Sequence, residues 1–399
     1  MSSNKKLSTW KKVLLIIALM ALNIVEQAAS AISATIPAMA KTFTGVSMTN
    51  VEMITTAVNI TVTIFVLTSG FISNKIGQKQ TAVLGLAIAA ITSIIPAFTN
   101  SFVVVLMSRI ILGIGIGLAN PLAISLIGEF FTGDILASLM GWRSAIAGIG
   151  VSIMTFFAGQ LLNISWHAAY YVYLLFIPVL ILFTFFVPQP EKEGLQAQKS
   201  QNNDKNKEKS EIIPHARIKV AGLALVLLAY FSLVMITMIK MALLYIEQGI
   251  GSATAASNVL SLVGFAQLLG GALFGLAYRY LKSAILPIAV IVGGITMIGI
   301  AYTNNANIVM LLSLVSGFIG GMGIPYIFTR VSAYSTTSTA PLNNGIVLVG
   351  SNLGSFIAPY VAAIFGKTAQ AAFLGGGIAM TGLGIVIIMA FVILNKSKY

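Results

Sequence analysis

Three charged side chains stand inside apolar runs, where a charge is costly to keep: Glu26, Arg109 and Lys240. Ionisable groups in such places are functional candidates, because a carboxyl can carry a proton and a guanidinium or ammonium can hold an anion. Glu26 lies near the middle of its run, and Asn23, Gln27, Ser30 and Ser33 recur with it at helical spacing. That stripe predicts a face turned to a wet cavity, which makes Glu26 the candidate for exchanging a proton or holding a cationic substrate. The alternative is a hydrogen-bonded acid with a packing role. Arg109 sits roughly 10 Å inside its run, at about 1.5 Å per residue. It is a candidate for biasing the protonation of Glu26, across about 10 Å of axial offset, or else pairs with backbone carbonyls or snorkels outward. Lys240 with Arg109 sets two cations against one acid, a balance that suits a carboxylate or sulfonate substrate; otherwise the lysine reaches the headgroups beside Glu247. Asn59, Thr63, Gln267 and Asn352 join Asn23, Gln27, Ser30 and Lys240 as candidate substrate-binding groups, and each polar one could equally be glue between helices.

These residues need membrane-spanning elements to position them. Of 399 residues, 57% are hydrophobic and 8% charged, against roughly 25% charged in an ordinary soluble domain, so a water-facing surface cannot be clothed. Apolar runs of this length predict spanning helices rather than barrel strands. The run from Val13 to about Ala40 is too long for a signal-peptide core and reads as a retained first helix. We place helices at 13–40, 50–73, 80–99, 103–127, 141–163 and 167–187, then at 219–245, 253–277, 283–302, 307–329, 342–365 and 370–394. The polar stretch between the two sets, rich in lysine and bounded by prolines, cannot bury a core and reads as a solvated linker. The domains expected are a bundle over 1–187, a linker over 188–218 and a bundle over 219–399. With the N-terminus cytoplasmic, nineteen of the lysines and arginines fall inside and two, Lys41 and Lys367, outside. This positive-inside bias predicts a multi-pass plasma-membrane protein with both termini cytoplasmic, and attributes the net charge of +13 to topology rather than to nucleic acid.

The halves repeat. The stretch from Phe102 aligns with that from Ile308 at an offset of 206, so that Gly115 meets Gly321, Gly117 meets Gly323 and Arg109 meets Val315; at the same offset Gly148 meets Gly354. Internal repeats of this kind suit a transporter whose site lies between two rocking bundles.

GFISNKIGQK, from Gly70 to Lys79, resembles the cytoplasmic signature loop of the major facilitator superfamily. Gly70, Ile72, Ser73, Lys75, Gly77 and Lys79 fit its pattern; Asn74 stands where the family has aspartate and Gln78 where it has arginine. Arg109 followed by Gly113, Gly115 and Gly117 resembles the family's fourth helix. In the fifth, Met154 and Thr155 occupy the place of the glycine and proline pair of the bacterial drug/proton antiporter-like group, whereas Gly148, Gly150 and Gly159 remain. The resemblance implies an all-α integral membrane fold of twelve helices, as two six-helix bundles related by pseudo-two-fold symmetry. It also implies alternating access, with Gly70, Asn74, Lys75, Gly77, Lys79, Gly113, Gly115 and Gly117 as its conformational motif.

Other chemistry is excluded by what the chain lacks. There is no cysteine, and the two histidines, His167 and His215, fall on different membrane sides, so no metal site is expected. FGKT at 365–368 has Val361 where a phosphate loop needs glycine. No enzyme constellation converges in the sequence. The reading is therefore proton-coupled export of amphipathic organic compounds, with small-molecule substrate, protons and lipid as partners, no cofactor beyond a proton gradient, and a functional monomer. The alternatives are import or exchange of an organic anion, and a non-transporting receptor or scaffold.

Overall fold

A backbone in hydrocarbon has to satisfy its own hydrogen bonds, and the apolar runs do so as helices. The computed structural model describes residues 9–131, 133–190, 216–335 and 339–396; linker residues 191–215, with Lys192, Lys199, Lys205, Lys207 and Lys209, and the extreme termini lie outside the described residues. The first half holds α1 (Thr9–Gln27), α2 (Ile36–Thr42), α3 (Met48–Thr56), α4 (Val58–Ile76), α5 (Gln78–Ile94), α6 (Phe102–Phe130), α7 (Gly133–Leu162), α8 (Trp166–Ala169) and α9 (Phe176–Phe186). The second holds α10 (Ala216–Glu247), α11 (Ala253–Leu281), α12 (Ile285–Tyr302), α13 (Ala306–Ala333), α14 (Ala340–Phe365) and α15 (Ala369–Lys396). Among the described residues, ten helical stretches are long and apolar enough to cross a membrane, or eleven if the bent pair at the N-terminal end counts as one. One of the ten, Ala253–Tyr302, is 50 residues long and contains both α11 and α12, which the sequence reading separates.

The first expected helix, 13–40, is not continuous. Its two arms bend by 45° across the segment between α1 and α2, where short 3-10 turns span Ala28–Ser30 and Ser33–Thr35. The cause is local. Ser33 Oγ donates to Ser30 O at 2.7 Å and Thr35 Oγ1 to Ile32 O at 2.6 Å, bonds that compete with the helical ladder. Pro37 in the first turn of α2 cannot donate back to the turn before it. The second expected helix is one span, Met48–Ile76, in which α3 and α4 are parted only at Ala57. It begins at Met48, two residues before the expected start, because Ser47 caps it by accepting from Asn50 N.

At the other end of α4, Gly77 has φ +94°, a conformation in which a side chain is strained. The reversal expected of the loop motif is therefore made there. Gln78 is buried and its Oε1 accepts from Ser125 Oγ of α6 at 2.8 Å, while Asn74 and Lys75 are exposed.

The glycines of α6 allow two neighbours to approach. A Cβ at Gly113 or Gly117 would collide with α4, and one at Gly115 with the backbone of Gly85 and Ala89 on α5. Their counterparts differ from the sequence alignment by two residues. Gly317 and Gly321 of α13 meet Val263 and Gln267 of α11, as Gly113 and Gly117 meet α4, and Gly354 of α14 meets Leu228 of α10, as Gly150 of α7 meets Ile24 of α1. All three pairs are separated by 204 residues, not 206. At about 100° per residue a two-residue slip turns a face almost to the opposite side, so only the shorter offset matches the packing. It also replaces Val315 with buried Ser313 as the partner position of Arg109.

A Cβ on Gly321 would lie inside the van der Waals envelope of Gln267 O, a backbone atom that cannot swing away. Gly321→Ala is expected to lower stability by about 1–3 kcal/mol through overpacking. Gly222→Ala, where the added Cβ meets nothing, should be neutral or gain up to about 1 kcal/mol in helix propensity. Thermal unfolding in one detergent compares the two; equal midpoints would remove the close approach from the account.

Candidate functional site

The helices before residue 187 and those after 216 meet away from the linker. On α7 and α11, Ser257 Oγ donates to Thr155 O and Ser261 Oγ to Ser152 O, both at 2.7 Å, while Thr254 Oγ1 bonds Gly159 O and Gln160 Nε2 bonds Asn258 Oδ1. On the other flank Thr56 Oγ1 donates to Phe356 O at 3.4 Å. These bonds hold the ends of the helices remote from the linker together.

Between the flanks lies an ion pair. Lys240 Nζ on α10 is 2.6 Å from Glu52 Oε1 on α3, and the two side chains are 4% and 0% exposed. Apart from Lys240, neither oxygen of Glu52 has a hydrogen-bond partner among the described residues. Glu52 is one turn into α3 and Lys240 seven residues before the end of α10, so both lie about 5–10 Å below that end of the molecule. Lys240 is thus buried and paired across the two halves, and does not snorkel to headgroups beside Glu247. Glu247 instead accepts from Ala369 N at 2.7 Å.

Glu52 is the residue that sequence reasoning missed, and it corrects the expectation that Glu26 alone is an acid well inside a helix. A helix that starts at 50 leaves Glu52 within two residues of its end. Ser47 followed by a helical run is the cap signal that moves the start outward, and an intramembrane lysine is itself a reason to look for an acid.

Arg109 is fully buried and bound to the break in the first helix. Its Nη2 donates to Ala29 O at 2.7 Å and to Tyr173 Oη at 3.0 Å, and Tyr173 Oη donates in turn to Ala28 O at 3.0 Å. The guanidinium carbon is 5.1 Å from the Tyr173 ring centroid and 5.8 Å from that of Tyr170, within range of cation–π attraction. Nε and Nη1 have no partner among the described residues. The backbone-carbonyl reading of Arg109 is therefore the geometry observed. It supplies the donors that the interrupted helix cannot supply to itself.

The remaining candidates are scattered. Asn23 is buried, its Nδ2 donating back to Leu19 O and Met20 O and its Oδ1 unpartnered. The side chains of Glu26 and Gln27 lie outside the described residues; their backbone forms the last turn of α1, next to the carbonyls that Arg109 and Tyr173 hold. Ser30 and Asn352 are half-buried, Gln267 is exposed, Asn59 Nδ2 donates to Thr56 O at the end of α3, and Thr63 Oγ1 donates to Asn59 O within α4.

Long apolar helices that enclose a sealed ion pair define a multi-pass membrane protein. A family model described as the Major Facilitator Superfamily matches residues 16–243, more than half of the chain, and the chain belongs to that superfamily. Among curated relatives, the multidrug transporter protein MdtP of Bacillus subtilis is 30% identical over 155 residues, 39% of this chain and 27% of that protein. The multidrug efflux protein YfmO of the same organism is 22% identical over 328 residues, 80% of this chain and 79% of that one. The chain thus spans about a quarter of the length of the first relative and four-fifths of the second. Among solved structures, a D-xylose-proton symporter superposes with a TM-score of 0.75 at 17% identity, covering 95% of this chain and 97% of that one. At that identity the likeness shows the fold alone.

Proposed function

We infer that the chain is a secondary active transporter of twelve spans, in two six-helix bundles over 1–187 and 219–399, that exports amphipathic organic compounds in exchange for protons. The count treats α11 and α12 as separate spans and the bent α1–α2 pair as one. The positive-inside balance supports a linker on the cytoplasmic face of a cell membrane, and one chain supplies both halves of a site. The names of the multidrug relatives support efflux.

The observation that carries the reading is the Glu52–Lys240 pair. It joins the two bundles at the end opposite the linker, so opening that end must separate two charges that have no other partners. A proton delivered to the carboxylate, or a charged group of the substrate, lowers the cost of separation; this couples movement to an ion gradient. Glu26 remains the second candidate carrier. Arg109, with two donors that have no partner among the described residues beside the last turn of α1, is the candidate for sensing its charge. The organic-anion alternative loses support, because Lys240 already has its counter-charge.

Coupling is tested with proton movement driven by cationic dyes in proteoliposomes. Glu26→Gln is expected to lose roughly tenfold or more of the coupled flux, the scale of one removed proton carrier. An unaltered flux takes Glu26 out of the mechanism and leaves the proton to Glu52.

A further inference from the structure

At the linker end of the second bundle a cavity of about 450 Å³ is lined by Tyr278, Arg279, Lys282, Ser283, Tyr326 and Arg330. Three of these six residues are cations and none is an acid. From residue 219 to the C-terminus the sequence contains a single acid, Glu247, and that one sits at the opposite end of the bundle against Ala369 N. Among the described residues none of the three cations pairs with a carboxylate.

The wall is built rather than incidental. Arg330 Nη2 donates to Tyr334 Oη at 2.7 Å, and its guanidinium carbon stands 5.2 Å from the centroid of the same ring. Lys219 Nζ is 5.0 Å from that centroid as well, so a fourth cation is held beside the third. Lys282 has φ +46°, the one non-glycine residue of positive φ among those described. This turn carries the chain from α11 into α12 and sets Ser283 into the lining. At the inner wall Tyr326 is 1% exposed, and its hydroxyl has no hydrogen-bond partner among the described residues. Its ring lies 6.2 Å from that of Tyr278. A buried hydroxyl left unpaired is costly, and here it borders a space ringed by positive charge.

We propose that this cavity is a binding site for a phosphate-bearing anion, held by Arg279, Lys282 and Arg330 and accepting a hydrogen bond from Tyr326 Oη. Phosphate is the chemistry that uses a fork of guanidinium donors, a lysine point charge and a hydroxyl together. It is shared by the headgroup of an acidic lipid in the adjoining leaflet and by a soluble phosphate. The site lies within the second bundle, remote from the Glu52–Lys240 pair, so its occupancy would act on that bundle's linker end and not on the ion pair.

The test uses the full-length chain and two probes: phosphatidylglycerol in phosphatidylcholine nanodiscs, and inorganic phosphate against chloride at equal ionic strength. Binding is read by native mass spectrometry and by the unfolding midpoint. Arg279→Gln with Arg330→Gln is expected to bind roughly tenfold more weakly than wild type, the loss typical of removing charge-assisted bonds. Lys41→Gln with Lys367→Gln, which removes the same charge from exposed positions at the other end, should bind as wild type does. Tyr326→Phe, which preserves packing, should weaken binding several-fold. Binding of phosphatidylglycerol alone assigns a lipid, and binding of inorganic phosphate as well assigns a soluble anion; both support the site. Equal binding by wild type and the double arginine variant overturns it. So does a wild-type chain that binds neither probe, the result expected if acids of the linker fill the cavity.

Discussion

Lys240→Ala should lower stability by roughly 3–5 kcal/mol, the cost of leaving a buried carboxylate without its counter-charge. Glu52 is wholly inaccessible and among the described residues has no partner but Lys240, so no water or neighbouring donor takes over. Glu52→Gln should be gentler, because an amide can accept from the ammonium, although the cation then lacks a counter-charge. The double variant Glu52→Leu with Lys240→Met should recover most of the lost stability, since apolar groups replace both members of the buried pair. It should not recover coupling. If the pair is the element that a proton or substrate must open, the double variant remains folded and loses gradient-driven flux. Thermal unfolding and proteoliposome flux on the same preparations separate the two effects. Full coupled transport by the double variant would leave the pair with a structural role only.

The sequence reveals the helical class and the loop reversal at Gly77, because each rests on composition or on a conformation that few residues tolerate. Other features depended on which atoms meet, and were hidden for that reason. The partner of Lys240 is 188 positions away in sequence, and nothing local links them. The repeat register erred by two because glycine is common on every face of these helices. Only the backbone atoms that each glycine approaches, Val263 and Gln267 on one side and Val58 and Val62 on the other, distinguish an offset of 204 from one of 206. The break at Ala28–Ser30 was foreshadowed by Ser30, Ser33 and Pro37. What the one-dimensional pattern could not supply was Arg109, which arrives from another helix to satisfy the freed carbonyl.

Arg109→Lys is expected to reduce transport by about tenfold or more while leaving a folded protein, and this substitution tests geometry rather than charge. A lysine keeps the cation but has no planar fork, so it cannot hold Ala29 O and Tyr173 Oη from one nitrogen while the rest of the group lies against two aromatic rings. Arg109→Ala goes further. It leaves Ala29 O, a buried carbonyl at a helix break, without its donor, a loss of about 1–3 kcal/mol, and empties the space between Tyr170 and Tyr173. Tyr173→Phe provides the calibration. It removes the hydroxyl that links Arg109 to Ala28 O but keeps the ring, so it should cost about 1 kcal/mol of stability and only part of the transport rate. The expected order of flux is wild type, Tyr173→Phe, Arg109→Lys and then Arg109→Ala, measured as initial rates at equal amounts of folded protein. A lysine variant that transports at the wild-type rate would mean that position 109 needs only a positive charge near Glu26. The shape of the interrupted first helix would then not depend on the arginine at all.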